Sequence, residues 1–302
     1  MTIETTIDGR DIALRHLDRV LWPLTGTTKG DLVEYLRAIA PVLLPHVRRR
    51  PVMLWRYPEG VDGPGWFQAQ CRSRPDWVQT YDIVGGRGET LRYCLVDEPA
   101  TLVWLANLGT LELHPHLWTV ERPREPSAVV FDLDPGPPAG LASAARVAML
   151  VRDAITADGL ESVVKTSGRR GLHVAAPLLP GQAFLSTKAF ARALAEDLER
   201  SRSDLVIARN ARGERAGRVY VDWIQNDPNR QLIAPYSARA TPVPSVSAPL
   251  RWDEVEALAH GDIGARAVHF DLDSIVVRVA RVGDLWSGAS PGRLPPRADA
   301  GG

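Results

Sequence analysis

Two aspartates, Asp132 and Asp134, lie at the end of the apolar stretch Val129-Val130-Phe131-Asp132-Leu133-Asp134, which Pro135-Gly136-Pro137 then terminates. A short apolar run that ends at a breaker indicates a buried strand rather than a helix. Residues i and i+2 of a strand point to the same face, so the two carboxylates lie side by side and repel each other. Mg2+ and Mn2+, which prefer oxygen ligands, relieve such repulsion. The alternative is an aspartate pair that caps a strand-to-turn corner.

A third carboxylate, Asp222, ends another apolar strand, Val219-Tyr220-Val221. Three carboxylates at two strand ends can hold two divalent cations about 4 Å apart, an arrangement that clamps an in-line phosphoryl displacement. The pattern therefore predicts a two-metal site in which Asp132, Asp134 and Asp222 are the catalytic residues and the metal ligands.

A loop rich in glycine and arginine follows the predicted strand Ser162–Lys165, with the sequence Ser167-Gly168-Arg169-Arg170-Gly171-Leu172-His173. Its glycines allow backbone N–H groups to face outward as an anion-binding nest, and arginines and an imidazole are close by. It is not a P-loop, because the Lys-Ser/Thr ending at a helix start is missing. An ordinary hairpin turn remains the alternative, since the loop lies between two strands.

Adjacent aromatic residues, Trp66 and Phe67, follow the loop Gly60–Gly65. Neighbouring side chains of a regular strand point to opposite faces, so both cannot be buried and one is expected to be exposed. An exposed aromatic side chain is costly without a purpose. It is either half-covered by the core or part of a surface on which nucleic-acid bases stack.

Lys29 is one of three lysines in the chain and lies just before the predicted helix Asp31–Leu44, which Thr28 is expected to cap. A helix N-terminus has N–H groups without intrahelical partners and a partial positive charge, so it favours an anion. Arg19 lies across the preceding turn and could bind the same anion. The alternative is a solvated lysine near a helix start.

Composition bounds the remaining possibilities. The 302 residues contain 36 basic and 36 acidic side chains, so the net charge does not indicate a nucleic-acid partner and any basic surface must be local. No apolar stretch is long enough to span a membrane, and the polar N-terminus is not a signal peptide. Cys71 and Cys94 have no metal-binding or redox spacing, which favours a reducing compartment. We therefore expect a soluble cytoplasmic protein.

The elements that would position these residues alternate only loosely. Apolar periodicity predicts an N-terminal hairpin, the strand Leu111–His114 and helices at Asp31–Leu44, Pro99–Leu108, Leu141–Ile155, Thr187–Arg200 and, as the last one, from Trp252 onward. The absence of a regular strand–helix alternation favours a mixed α+β fold over a doubly wound sheet. A second Asp-x-Asp, in Phe270-Asp271-Leu272-Asp273, lacks a following breaker and phosphate loop, so we interpret it as an ordinary strand edge.

Several further stretches accompany the aspartates and the Ser167–His173 loop in a fixed order. They are Leu17-Asp18-Arg19-Val20-Leu21-Trp22-Pro23, Gly26-Thr27-Thr28-Lys29-Gly30-Asp31, Arg50-Pro51-Val52, Gly60-Val61-Asp62-Gly63, Val221-Asp222-Trp223 with Gln225-Asn226, and Ala234-Pro235-Tyr236-Ser237-Ala238-Arg239. Together these residues resemble the polymerase domain of bacterial non-homologous end-joining ligases of the ligase D type, a family of the archaeo-eukaryotic primase superfamily. The resemblance covers about residues 5 to 290.

The resemblance implies a fold and a domain organisation. We expect an α+β primase-polymerase fold over residues 1–290, with an N-terminal α/β module at about 1–125 and an RRM-like catalytic sheet at about 126–290. Residues 291–302 have no periodicity and are predicted to be a disordered tail. No ligase or nuclease module is expected within this chain.

The resemblance also implies residue roles. Asp132, Asp134 and Asp222 would hold two ions of Mn2+ or Mg2+. Residues that would contact the incoming nucleotide are His114, at its sugar, and Ser167, Gly168, Arg170, Gly171, His173, Gln225 and Arg239. Residues that would contact DNA are Arg19, Lys29, Arg56, Trp66 and Phe67, the first two at the 5′-phosphate of a break. Arg19 and Arg170 stand where relatives often have lysine, which changes the geometry of an anion contact.

The implied function is template-directed addition of nucleotides, preferentially ribonucleotides, to 3′ ends at DNA gaps and double-strand breaks. Expected partners are DNA ends with a 5′-phosphate, NTP or dNTP, a Ku-type end-binding protein and an ATP-dependent DNA ligase, in the cytoplasm at the nucleoid. One alternative is a catalytically idle DNA-end-binding module. Another is a haloacid-dehalogenase-type phosphatase, which Phe131-Asp132-Leu133-Asp134 resembles, although Pro135-Gly136 replaces that family's Gly-Thr.

Overall fold

The structure is a computed structural model, and it describes residues 2–86, 88–210 and 212–295. Its strands are β1 (Thr2–Ile7), β2 (Arg10–Arg15), β3 (Val20–Trp22), β4 (Thr27–Thr28), β5 (Pro51–Arg56), β6 (Trp66–Gln68), β7 (Thr80–Val84), β8 (Thr90–Leu95), β9 (Thr110–Pro115), β10 (Ala128–Pro135), β11 (Val163–Thr166), β12 (Leu172–Pro177), β13 (Val206–Ile207), β14 (Val219–Asp222), β15 (Ala238–Arg239), β16 (Ser245–Val246) and β17 (Pro249–Leu250). Its α-helices are α1 (Lys29–Val47), α2 (Pro99–Asn107), α3 (Leu141–Ala157), α4 (Phe184–Ser201), α5 (Trp252–His260) and α6 (Leu272–Val282).

The chain forms two compact units, each built from separate stretches of sequence. Among the described residues, the first unit comprises 2–121, 231–247 and 270–283, and the second comprises 122–230, 248–269 and 284–295. Both units contain sheet and helix, so the predicted mixed α+β class is confirmed.

The first unit is organised around β5, which pairs antiparallel with β6, β8 and β9, while β7 extends the sheet beyond β8. Helix α1 packs against α2 and α6 in this unit. Its apolar positions Leu32, Leu36, Ile39 and Leu43 follow a helical period and are at most 4% exposed. The predicted cap is present, because Thr28 Oγ1 accepts from the Asp31 N–H and the Asp31 carboxylate accepts from the Thr28 N–H.

The second unit contains a six-stranded sheet in the order β13-β14-β10-β12-β11-β17. Strand β10 is central, antiparallel to β12 on one side and to β14 on the other. Its residues Val129, Phe131 and Leu133 are completely buried. Helix α3 packs against β10 and β12, and α4 packs against β10 and β13. The alternation along β10 thus separates a buried apolar face from the face that carries Asp132 and Asp134.

Three interpretations of local sequence were wrong. Phe270-Asp271-Leu272-Asp273 is not a strand edge: Asp271 caps α6 through a reciprocal pair of hydrogen bonds with Ser274, so α5 is not the last helix. Cys71 and Cys94 form a disulfide with Cα atoms 5.1 Å apart, because the loop after β6 runs beside β8. Within the predicted tail, Gly292 pairs with the backbone around Leu178, and a side chain there would collide with Leu160. Residues 296–302 of that tail lie outside the described residues.

No helix in the described part of the chain combines the length and the apolar character needed to cross a membrane.

Candidate active site

The three predicted catalytic aspartates lie on neighbouring strands of the second unit. Asp132 and Asp134 are two residues apart on β10, and Asp132 is directly opposite Asp222 of β14 in the antiparallel register. Directly opposite residues share a face and bring their side chains within about 5 Å at the Cβ atoms. The carboxylates therefore face the same side of one sheet, as the sequence pattern predicts.

A continuous row of polar side chains crosses four strands at this level. The paired residues, in order from β14 through β10 and β12 to β11, are Asp222, Asp132, His173 and Lys165. His173 Nε2 lies 3.2 Å from Asp132 Oδ1, and His173 Nδ1 lies 2.8 Å from Lys165 Nζ. We call these four residues the polar row. It ends in two negative charges on one side and a lysine on the other.

The carboxylates at one end of the polar row repel one another, and this repulsion changes their pKa values. Partial desolvation, with the negative charges of Asp132 and Asp222, raises the pKa of Asp134 to about 7, although the positive charge of Arg215 opposes the shift. Burial and the charge of Asp132 also raise the pKa of Asp222. The raised pKa values show that burial and the neighbouring carboxylates outweigh the positive charge of Arg215, so a cation at the same place would be stabilised.

Asp222 is held by donors from its own strand and from the turn that follows. Its Oδ1 accepts from Tyr220 Oη at 3.1 Å and from the Ile224 N–H at 3.0 Å, and its Oδ2 accepts from Gln225 Nε2 at 3.2 Å. Gln225, which the family resemblance assigns to the nucleotide, thus contacts a catalytic carboxylate in this structure. Its amide orients that carboxylate.

The donor set suits a hard divalent cation. Asp132, Asp134 and Asp222 supply only carboxylate oxygens, the ligands that Mg2+ and Mn2+ prefer. Across the described residues, no three His, Cys, Asp or Glu side chains already have the spacing of a metal-binding cluster. The raised pKa of Asp134 and of Asp222 is the observation that favours a cation. We therefore treat the metal site as a hypothesis supported by ligand chemistry and charge.

The Ser167–His173 loop is folded tightly on itself and against β10. Ser167 Oγ accepts hydrogen bonds from the N–H groups of Arg169 and Gly171, which differs from the outward-facing nest that the sequence predicted. Gly168 has a φ of 71°, the left-handed region that favours glycine. A Cβ atom at Gly171 would lie 2.3 Å from the Leu133 carbonyl oxygen, so only glycine allows this approach to the catalytic strand. The loop arginines, Arg169 and Arg170, are exposed.

Two predicted nucleotide ligands, His114 and Arg239, belong to the first unit and are held there by one buried carboxylate. Glu112 Oε2 lies 2.9 Å from His114 Nε2 and 3.0 Å from Arg239 Nη1, and Glu112 Oε1 accepts from the Ala240 N–H. Burial opposes ionisation of Glu112, but the hydrogen bond from His114 and the charge of Arg239 lower its pKa. Glu112 therefore fixes both side chains.

The first unit also presents an exposed aromatic surface. Trp66 and Phe67, on the short strand β6, are 44% and 56% exposed, so neither is a core residue. Phe67 stacks on Trp55 with ring centroids 4.5 Å apart, and the Arg56 guanidinium lies 5.4 Å from the Trp66 ring centroid. The prediction that at least one of the pair is exposed is confirmed.

A cavity of about 600 Å³ in the first unit brings the predicted 5′-phosphate residues together. Arg19, Lys29 and Arg56 all line it. Lys29 is only 6% exposed, which excludes the solvated lysine considered from sequence. Burial and the charge of Arg19 lower the pKa of Lys29. Arg19 also forms an ion pair with the exposed Glu59 at 2.6 Å, so that an anionic ligand would compete with this carboxylate.

Sequence reasoning missed four side chains that shape these sites. Arg215 lies in an irregular loop without periodicity, and nothing in its sequence places it beside Asp134. Asn107, whose carbonyl and side-chain oxygens accept from Lys29 Nζ, is far away in the chain. Lys165 and Glu112 carried a usable signal, because each is a charged residue within an apolar strand and such a residue is rarely buried without a role.

Comparison with known proteins gives consistent results. A protein-family model described as LigD, primase-polymerase domain, matches residues 28–286. The multifunctional non-homologous end joining protein LigD of Mycobacterium bovis is 36% identical over 283 residues, which are 91% of this chain and 36% of that protein. The bifunctional non-homologous end joining protein LigD of Bacillus subtilis is 28% identical over 88% of this chain and 42% of its own length. The chain thus spans about a third to two fifths of these relatives.

A solved structure matches nearly the entire chain. The polymerase domain of Mycobacterium tuberculosis Ligase D in complex with DNA superposes with a TM-score of 0.85 at 34% identity. The match covers 92% of this chain and 99% of that domain.

Proposed function

The chain belongs to the LigD primase-polymerase family, and from this premise we propose that it is a DNA-dependent nucleotidyltransferase that extends 3′ ends at gaps and double-strand breaks. Polymerase or primase-like chemistry follows from the family. The substrates, the metal ions and the partners of this chain are our proposal. The observation that carries it is the placement of three carboxylates, two with a raised pKa, on one face of adjacent strands.

The chain's own residues account for the chemistry as follows. Asp132, Asp134 and Asp222 would hold two Mn2+ or Mg2+ ions, which when bound lower the pKa of the primer 3′-hydroxyl and neutralise the departing pyrophosphate. The primer 3′-oxygen gives up its proton to solvent and attacks the α-phosphorus, while the bond from the α-phosphorus to the α,β-bridging oxygen breaks in line and pyrophosphate leaves. Gln225 and Tyr220 orient Asp222 for this step, since both donate hydrogen bonds to its carboxylate.

The incoming nucleotide would be bound by residues that contact its triphosphate and its sugar. We assign the triphosphate to Ser167, Gly168, Arg170, Gly171 and His173, since this loop lies against the catalytic strand and exposes arginine. His114 and Arg239, fixed by Glu112, are assigned to the nucleotide through the family. A preference for ribonucleotides and for manganese is likewise part of the proposal.

DNA would be bound by the first unit. Bases stack on Trp66 and Phe67, because exposed aromatic rings offer a face to any base. Lys29 and Arg19 would bind the 5′-phosphate at the downstream side of a gap, since the cavity concentrates positive charge. Arg56 lies between the two regions: it lines the cavity and also contacts the Trp66 ring.

The proposed cellular role is end joining, which appears in the names of the LigD relatives. A Ku-type end-binding protein and an ATP-dependent DNA ligase would be the partners, because added nucleotides at a break must be sealed. We place the protein in the cytoplasm at the nucleoid, where its DNA substrate lies. The disulfide between Cys71 and Cys94 does not support this location, since such bonds are uncommon in reducing compartments.

A primer-extension assay tests the proposal. A 5′-phosphorylated gapped duplex is incubated with NTPs or dNTPs, first in Mg2+ and then in Mn2+. We expect template-dependent extension that requires a divalent cation and is greater with NTPs and with Mn2+. Binding of the gapped duplex without extension under any of these conditions would contradict the proposal and indicate an idle end-binding module.

A further inference from the structure

Lys165 is a buried cation to which the proposed mechanism gives no role. It is one of three lysines in the chain and is completely buried on β11, at the end of the polar row. Removing an ammonium group from water is strongly unfavourable unless opposite charge or hydrogen-bond acceptors compensate. Lysine is rarely found in such a position without a specific partner. Its contacts therefore identify its role.

Two neighbours of the Lys165 ammonium group bear on its role. Lys165 Nζ lies 2.8 Å from His173 Nδ1, and it lies 5.6 Å from the centroid of the Trp286 ring. The aromatic face favours a cation at this position. The carboxylates of Asp132 and Asp222 lie further along the same row, so the lysine charge is balanced within the sheet.

The chemistry of the two side chains fixes the direction of their hydrogen bond. An ammonium group has three donors and no acceptor, so it donates and His173 Nδ1 accepts. A neutral imidazole that accepts at Nδ1 carries its proton on Nε2. His173 Nε2 is the nitrogen that lies 3.2 Å from Asp132 Oδ1. The proton thus lies on the nitrogen nearest to the catalytic carboxylate, at an ion-pair distance without the geometry of a hydrogen bond, where the opposite tautomer would place a lone pair against a negative charge.

We propose that Lys165 is a positioning residue for nucleotide addition, which fixes His173 in the tautomer that carries its proton on Nε2, the nitrogen beside Asp132, where the N–H can donate to a phosphate group of the bound nucleotide. In this role Lys165 acts through the imidazole of His173. The kinetic part of the proposal rests on the proposed function. The tautomer itself does not, since it concerns the protein without substrate or metal.

Nuclear magnetic resonance tests the tautomer directly. The full chain is labelled with 15N-histidine, and two-bond correlations between ring nitrogens and ring protons distinguish Nε2–H from Nδ1–H imidazoles. His173→Ala assigns the signal. We expect His173 to be the Nε2–H tautomer in the metal-free wild type and to lose that single state in Lys165→Met. An Nδ1–H ring in the wild type, or an unchanged spectrum in Lys165→Met, overturns the proposal.

Suitable variants separate this role from a structural one. Lys165→Met retains the length and the apolar stem, and Lys165→Arg retains a donor if the methionine variant fails to fold. The matched control is Lys188→Met, which removes a half-exposed lysine of the same unit that pairs with Asp227 at 3.0 Å. We expect the control to leave the His173 signal and nucleotide addition unchanged. A matching loss in Lys188→Met would show a general effect of lysine removal and overturn the assignment.

A double-mutant cycle tests whether Lys165 acts through His173. In the wild-type background, Lys165→Met should lower kcat/KM for the nucleotide by about 10–100-fold, the range for lost outer-shell partners of site residues. In the His173→Ala background, the same change should cost no more than about twofold, because the interaction is already absent. Equal losses in both backgrounds would overturn the proposal. Absence of extension by the wild type would instead contradict the proposed function and leave the spectroscopic test in force.

Discussion

The carboxylate end of the polar row and the Lys29 cavity are both places where side chains of like charge lie close together. In the first, Asp132 and Asp222 help to raise the pKa of Asp134; in the second, Arg19 helps to lower the pKa of Lys29. The two shifts have opposite signs and related causes, because desolvation and a neighbouring like charge both disfavour the charged form. Each region is therefore stabilised by a ligand of the opposite charge, a cation in one and a phosphate in the other.

The two regions differ in how their residues are brought together. The aspartates share one face of adjacent strands, so strand register brings them together, and local hydrogen bonds then orient Asp222. The cavity is lined by residues from many separate elements and loops, including Arg19, Lys29, Arg56 and Asn107. In the carboxylate site, we expect the loss of any one aspartate to abolish nucleotide addition. In the cavity, we expect the loss of one lining residue to weaken DNA binding only in part.

The largest effect is expected when one of the catalytic aspartates is replaced. Asp132→Ala or Asp134→Ala should abolish nucleotide addition, because losing one ligand of a two-metal site costs several kcal/mol of transition-state stabilisation, which is orders of magnitude in rate. DNA binding should be nearly unchanged, since its proposed contacts lie in the first unit. Primer extension and a gel-shift titration measure the two effects. Extension at the wild-type rate in either variant would contradict the active-site assignment.

The pH dependence of metal binding tests whether the raised pKa of Asp134 marks a cation site. The pKa of Asp134 is about 7 in the folded protein, raised from 3.8. Between these two pH values the folded protein binds more protons than the unfolded protein. The free energy of unfolding of the metal-free protein therefore decreases as the pH rises through this range. A metal ion displaces that proton, and its apparent affinity should rise about tenfold per pH unit up to about pH 7. Calorimetric titration of Mn2+ from pH 5 to 8 measures the trend.

Asp134→Asn is the control for this pH dependence, because it removes the titrating group and preserves the shape of the side chain. The slope of metal affinity against pH should decrease in the variant. Equal slopes in both proteins would show that another group governs the trend.

A smaller effect is expected on the cationic side. Wild type should bind a gapped duplex with a 5′-phosphate more tightly than one without it, by about 1.5–3 kcal/mol for a charge-assisted contact. Lys29→Ala should lose most of that difference and still extend primers at saturating DNA. Fluorescence anisotropy with the two duplexes provides the measurement. If both proteins discriminate equally, Lys29 does not contact the phosphate.

The exposed aromatic residues Trp66 and Phe67 are expected to bind DNA by stacking rather than by charge. Trp66→Ala should weaken binding to gapped or overhanging DNA by roughly 1–3 kcal/mol, with little dependence on sequence, because stacking uses the face of any base. Since Trp66 is 44% exposed, thermal stability should change little. Thermal melting and anisotropy on duplexes of different sequence measure both. A large loss of stability with normal DNA binding would show that Trp66 is structural.

The smallest effect is expected at the second Asp-x-Asp. Asp271→Ala should leave nucleotide addition at the wild-type level, because the residue caps α6 in the first unit. It should lower the free energy of unfolding by about 1 kcal/mol, the usual cost of a lost N-cap. Extension assays and denaturant unfolding measure the two. Lost activity without lost stability would give this aspartate a catalytic role.

The contrast between the two Asp-x-Asp motifs shows what local sequence can predict. Asp132 and Asp134 were placed correctly, because the apolar run and the Pro-Gly breaker define a strand end. Asp271 was misplaced, because Ser274 completes a capping box that the strand interpretation ignored. The sequence carried that signal, so the error lay in interpretation.

Other features depend on contacts that no local pattern contains. The Cys71–Cys94 bond requires that the loop after β6 run beside β8. Arg215 influences Asp134 only because a loop without periodicity folds back on the sheet. Helix and strand positions and the three aspartates were predicted from local patterns, whereas the roles of His114, Gln225 and Arg239 came from the family resemblance. For Lys165 and Glu112 the sequence signals a charged residue within an apolar strand, but their partners are identified only when the strand register is known.

The polar row has a consequence for how the protein folds. Asp132 faces His173 on one side and Asp222 on the other, so its two neighbours are far along the chain in sequence. Pairings between distant segments are slow to form, because chain entropy must be lost before the contacts compensate. During synthesis, β10 emerges well before β14 and has an unpaired edge until β14 arrives. The carboxylate cluster is therefore complete only once β14 has paired with β10.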